Sequence, residues 1–121
     1  MTKQEFRELE KKLFAAFVEY VKPTNQRIEI REVHFGEKIV NILYIPDIDT
    51  EIEGSFEKMD FTFISGQCTL SARISVDAKS EDHFISEAKK MFVTFLESAR
   101  DIRNAKRRLA FMESGVNGYP F

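Results

Sequence analysis

The sequence predicts a two-layer α+β sandwich: an opening helix, an antiparallel sheet of four or five strands and a long closing helix, with both helices on the sheet's apolar face. Three observations predict it. Apolar residues recur at helical spacing from Phe6 to Val21 and again from Phe84 to Ile102, and between these two runs the period is two. The 121 residues show no Pro/Gly/Ser-rich linker and no shift of composition, so they read as one domain, 1–121, with 116–121 as a flexible tail.

The first helix begins at Thr2, which with Glu5 three residues on forms a capping box. Phe6, Leu9, Leu13, Phe17 and Tyr20 make its apolar stripe, and Pro23 ends it. The stripe widens toward Val21, which predicts deeper burial at that end. Glu8 and Lys12 form an i,i+4 pair on the outer face.

From Arg27 to Ile45, Gly36-Glu37 reads as the turn of a hairpin between strands Arg27–Phe35 and Lys38–Ile45. One face carries Ile28, Ile30, His34, Ile39, Leu43 and Ile45, and the other Val33, Phe35, Val40, Ile42 and Tyr44. The second strand is therefore apolar on both sides, so its second face needs cover from this chain or from a partner. Val33, Val40, Ile42 and Tyr44 are the candidate dimer face, and a homodimer is expected.

Pro46 interrupts the pattern, and Asp47 to Ser55 reads as a loop or an edge strand. Ser65-Gly66 then reads as a two-residue turn joining Phe56–Ile64 to Gln67–Val76. That register pairs Phe63 with Cys68, Phe61 with Leu70 and Met59 with Ala72. Ser80 caps the last helix, with Glu81 and Asp82 in its first turn. Phe84, Ala88, Met91, Phe95, Ala99 and Ile102 form its stripe, and Gly115 is the expected stop. About 33 residues would span about 50 Å, so the helix must outrun a strand of about 30 Å or kink.

Hydrophobic residues are 43% and charged residues 31%, the balance of a globular chain rather than a disordered one. Twelve phenylalanines and no tryptophan indicate a core of rings without polar handles. The lone Cys68 cannot form an internal disulfide and falls on a packed face, where it acts as a small hydrophobe. The first apolar run, Leu13 to Val18, is too short and too late for a signal peptide, and no stretch reaches the roughly 20 apolar residues of a membrane span. Cytoplasmic location is the expectation. A net charge of −2 gives no whole-molecule field for nucleic acid, so an electrostatic partner must be recruited by a local patch.

Two such patches stand out. Asp47, Asp49, Glu51 and Glu53 alternate, so an extended backbone puts their carboxylates on one face, a candidate surface for a basic partner or a cation; the alternative is a solvated edge blunted by charge. As a calcium loop the segment fails, because Ile52 stands where glycine is required and Lys58 where the closing glutamate is. Arg100, Arg103, Lys106, Arg107 and Arg108 crowd the last helix, a candidate nucleic-acid or acidic-partner patch that equally suits the negative end of a helix dipole. Arg100, Arg103 and Arg107 are expected to be exposed.

Glu32, His34 and Asn41 fall on the face assigned to the core, as a small polar site or a wet margin of the sheet. His83, in the first turn of the last helix, has no obvious partner. No Ser/His/Asp set, no second cysteine and no His pair at metal spacing is present, so no catalysis, metal or cofactor is expected. The order helix, strands, helix is similar to that of small secretion-chaperone-like domains, which are dimeric binding proteins; those carry a helix where this chain has Asp47–Ser55. The leading expectation is a non-catalytic interaction protein of adaptor, chaperone or inhibitor type. The alternatives are a nucleic-acid-binding regulator using the basic helix and a domain that takes an apolar ligand between sheet and helices.

Overall fold

The computed structural model describes residues 1–76 and 80–118. The chain runs through α1 (Lys3–Val21), a 3₁₀ turn (Lys22–Thr24), β1 (Glu29–Phe35), β2 (Lys38–Ile45), a second 3₁₀ turn (Pro46–Ile48), β3 (Thr50–Ser55), β4 (Asp60–Ser65), β5 (Leu70–Ser75) and α2 (Glu81–Gly118). The strands form one open antiparallel sheet in the order β1-β2-β3-β4-β5. This is the predicted sandwich, with five strands.

The capping box closes α1: Thr2 Oγ1 accepts from Glu5 N at 3.1 Å, and Thr2 N donates to Glu5 Oε1 at 2.9 Å. Phe6, Leu9, Leu13, Phe14, Phe17 and Val21 are all buried, so burial runs the length of the helix instead of concentrating at its end. Lys12 does not pair with Glu8. Packing sets the start of α2 beside the middle of α1, and the Lys12 Nζ lies 2.6 Å from Glu81 Oε1.

Phenylalanine rings join the layers. Phe6 and Phe84 lie against Phe61, with centroids 5.2 and 5.9 Å away, and Phe17, Phe92 and Phe95 surround Phe63 at 5.7 to 5.9 Å. Residue number therefore rises in the same direction along β4 and both helices. Ser80 Oγ accepts from His83 N at 3.2 Å, as its capping role predicts. The buried stripe of α2 ends at Ala99, and every described side chain from Asn104 to Met112 is exposed. The helix does not stop at Gly115 but continues to Gly118, 38 residues in all, so its end projects past the sheet. Of the expected tail, 119–121 lies outside the described residues.

The first hairpin has the predicted register, with Phe35 opposite Lys38 and Glu32 opposite Asn41, and Gly36 takes φ +63° in its turn. The last hairpin does not. Ser65 pairs with Leu70, Phe63 with Ala72 and Phe61 with Ile74, four residues from the expected register. The cause is at the turn: Gly66 N donates to Asp49 O at 3.0 Å, which holds it on the β3 side. The chain then needs all of Gly66–Thr69 to reverse, with Thr69 left-handed at φ 55°. The Phe56–Met59 turn repeats this device, with Met59 at φ 51°, so β4 starts at Asp60 rather than Phe56. An even slip leaves every side chain on its face, and Phe61, Phe63 and Ala72 still point to the helices. Cys68 sits in the turn, not in a strand; it is buried, and its Sγ lies 3.0 Å from Ala99 O.

The segment expected as a loop or edge is the central strand β3, paired on both sides. Ile52, fully buried between Leu43 and Phe63, decides this. Pro46, which has no N–H to give a ladder, opens the 3₁₀ turn before it.

Candidate functional site

The helices cover one face of the sheet and leave the other open. Among the outward residues of the five strands only Asp60 is buried. Val33 lies opposite Val40, with Ile42 and Tyr44 next along β2, and all four are part-exposed. Phe35 extends this stripe at 60% exposure. β1 lies beyond the helices, so Ile30, on the helix-facing side, is also 60% exposed. Arg31 lies over the Tyr44 ring at 4.6 Å and holds Glu29 at 2.7 Å.

β3 contributes Glu51 and Glu53 to this face, opposite Tyr44 and Ile42. Partial burial, and then the like charges of Glu53 and Asp49, raise the Glu51 carboxyl above its ordinary value, against the pull of Arg31. Of the four alternating acids only these two lie in the strand. Asp47 turns to Arg27, accepting from its backbone N at 3.0 Å, and Asp49, left-handed at φ 46°, accepts from Tyr44 Oη at 3.1 Å. That hydrogen bond is the chief cause raising the Tyr44 phenol above its ordinary value.

The basic residues lie where α2 leaves the sheet. Arg100, Lys106, Arg107 and Arg108 are exposed, and Arg100 Nε reaches Asp101 Oδ1 at 4.0 Å. Arg103 departs from its expected exposure: it is half-buried, with Nη1 enclosed and without a hydrogen-bond partner among the described residues. It stands one turn beyond Ala99, where the packed part of the helix ends. Leu109, Phe111 and Met112 follow at 58%, 69% and 61% exposure.

Glu32 and His34 are exposed, with Nε2 and Oε1 3.5 Å apart, on the strand that the helices do not reach. Asn41 is not part of that pair. Its Nδ2 donates at 2.9 Å to Oε1 of Glu10, a buried carboxylate of α1 whose other oxygen has no partner among the described residues. Arg7 reaches the same Oε1 at 3.4 Å and also donates to Ile39 O. Burial is the main cause raising the Glu10 carboxyl, opposed by Asn41 and Arg7. Helical spacing carried the signal for this residue: Glu10 is four residues from Phe6 and three from Leu13, within the apolar stripe.

A carboxyl with a raised native value binds its proton more tightly folded than unfolded. Its contribution to stability is present in full below pH 4.5 and is lost as pH rises through the raised native value. Glu10→Gln is therefore expected to flatten that part of the pH dependence and to raise the urea midpoint near pH 7. Parallel melts at about pH 5 and pH 7 check this; an equal slope in both proteins would show that Glu10 titrates normally.

Among the described residues no three His, Cys, Asp or Glu side chains converge as metal ligands do, and no helix is long and apolar enough to cross a membrane. A groove of about 370 Å³ opens at the rim between Lys3, Phe35, Lys38, Phe56 and Lys58. No family model, curated protein or solved structure matches the chain.

Proposed function

We propose that this chain is a non-catalytic interaction module of adaptor, chaperone or inhibitor type, acting through the outward face of its sheet in the cytoplasm, where a lone reduced cysteine is ordinary. The Val33, Val40, Ile42 and Tyr44 stripe carries this reading: four part-exposed apolar side chains on adjacent strands that neither helix covers. Contiguous apolar surface of this kind marks an interface in a water-soluble fold. A basic helix end exposed to solvent favours a second reading, a nucleic-acid-binding regulator. The apolar-ligand reading draws less support, since Phe6, Phe17, Phe61, Phe63 and Phe92 fill the space between the layers.

Capture from a lysate of the source organism separates the first two. Wild-type protein is expected to retain protein partners whether or not nuclease is added, and Val40→Lys with Ile42→Lys is expected to lose them. Retention that nuclease abolishes, and that disappears when Arg100, Arg103 and Arg107 become glutamine, would replace this reading with the second.

A further inference from the structure

The unpaired charges of the two surfaces have opposite signs. On the outward face the three cations are already engaged, Arg31 by Glu29, Lys38 by Glu57 and Arg73 by Asp60. Among the described residues Glu51 and Glu53, in the centre of that face, have no cation within 4.0 Å. Among the described side chains Lys106, Arg107 and Arg108 have no carboxylate within that distance either. Each surface also pairs its charge with apolar area: Val40, Ile42 and Tyr44 beside the two glutamates, and Leu109 and Met112 between the cations of α2. At about 100° per residue, Ile102, Ala105, Leu109 and Met112 share one stripe, with Lys106 about 80° to one side of its centre, Arg108 about 80° to the other, and Arg107 on the opposite side of the helix.

Resting on the reading of the sheet face as an interface, the geometry points to a second copy of this chain as its occupant: the projecting end of α2 lies across the outward face of the partner's sheet, reciprocally. The dimensions agree. Residues 104–118 extend about 22 Å at 1.5 Å per residue, and a six-residue strand is about 20 Å long. Symmetry also permits it. Each α2 lies on one side of its own sheet, parallel to β4, and leaves at the β4–β5 turn. A two-fold axis in the plane of the sheet, just beyond that turn and oblique to the strands, inverts the partner's sheet and slants each projecting end from β4 toward β3 and β2. Each projecting end then meets the outward face of the other copy, so the contact closes on itself. The helix enters over Asp49 and Glu51, at the sheet end from which its counterpart leaves, since Gly66 N donates to Asp49 O there. Pairs of Glu51 and Glu53 with Lys106 and Arg108 fix register, and the apolar line supplies the buried area.

Charge reversal in the full chain tests this. By sedimentation or light scattering the wild type is expected at twice the 14.1 kDa chain mass. Glu51→Lys with Glu53→Lys should weaken the dimer at least tenfold, as should Lys106→Glu with Arg108→Glu. All four together should bring the dissociation constant back to within about threefold of wild type, which a merely structural loss would not do. Glutamine replacements serve where a lysine in β3 lowers the melting temperature. A monomer at every concentration up to about 100 µM overturns the inference, with lysate capture then deciding the broader reading on its own. A dimer broken by Val40→Lys with Ile42→Lys but indifferent to the α2 reversals would be packed sheet on sheet; it overturns the inference and leaves the interaction surface standing.

Discussion

Truncating Phe63 to alanine is expected to lower the free energy of unfolding by about 3 to 5 kcal/mol, the range for large aromatic side chains removed from a core. Phe63 has no exposed surface and lies on β4 between Ile52 and Ala72. Its ring meets Phe17 edge-on at 5.8 Å, Phe92 at 5.9 Å and Phe95 at 5.7 Å, so its loss opens a gap bordered by both helices at once. Neither helix can close that gap alone, because each is also held by Phe61 through Phe6 and Phe84. Leu70→Ala makes the comparison: Leu70 is half-buried at the start of β5, opposite Ser65 rather than Phe61, and should cost less than half as much. Urea melts followed by circular dichroism measure both. A Phe63→Ala loss below about 1.5 kcal/mol would mean that the helices settle onto the gap, and that the core is less rigidly built than eight close ring pairs imply.

How far such a core can be read from sequence depends on which physical signal defines each part. Faces are defined by parity, so Phe61, Phe63, Ile39, Leu43 and Val40 all fall on the predicted sides, even in the hairpin whose register is wrong by four. Turns are defined by backbone conformation. In the turns on either side of β4 the left-handed positions are held by Met59 and Thr69 rather than glycine, while Ser65-Gly66 imitates a two-residue turn. The identity of β3 was hidden by the two-layer architecture itself. With helices on one side only, every strand keeps a wet face, so Glu51 and Glu53 look the same on a central strand as on an edge. The apolar second face of β2 was legible because alternation fails there, and so was the excess length of the closing helix, because the roughly 33 residues read up to Gly115 already outrun a strand. Glu10 was on the apolar stripe in plain sequence, yet nothing local shows that β3 would bring a glycine beneath its carboxylate.

That glycine supplies the other large effect: Gly54→Ala is expected to cost about 3 kcal/mol, the upper end of the range for overpacking. An added Cβ would meet Glu10 Oε2 closer than any real Cβ contact, and would lie 2.8 Å from Cε1 of Phe61 on the paired strand. Neither neighbour can withdraw easily. Glu10 is tied through Oε1 to Asn41 and Arg7, and Phe61 is stacked on Phe6 at 5.2 Å. Ordinarily an alanine in a strand gains about 0.5 to 1 kcal/mol over glycine by restricting the unfolded chain, so even the sign of the change is informative. A double-mutant cycle with Glu10→Ala apportions the cost. If the carboxylate is the main obstacle, Gly54→Ala should become at least 1 kcal/mol cheaper in the Glu10→Ala background; if Phe61 is, the cost should persist unchanged. A neutral or stabilising Gly54→Ala in wild type would show that α1 rides higher above β3 than the Glu10–Asn41 hydrogen bond allows, and would remove the physical basis for the raised Glu10 carboxyl as well.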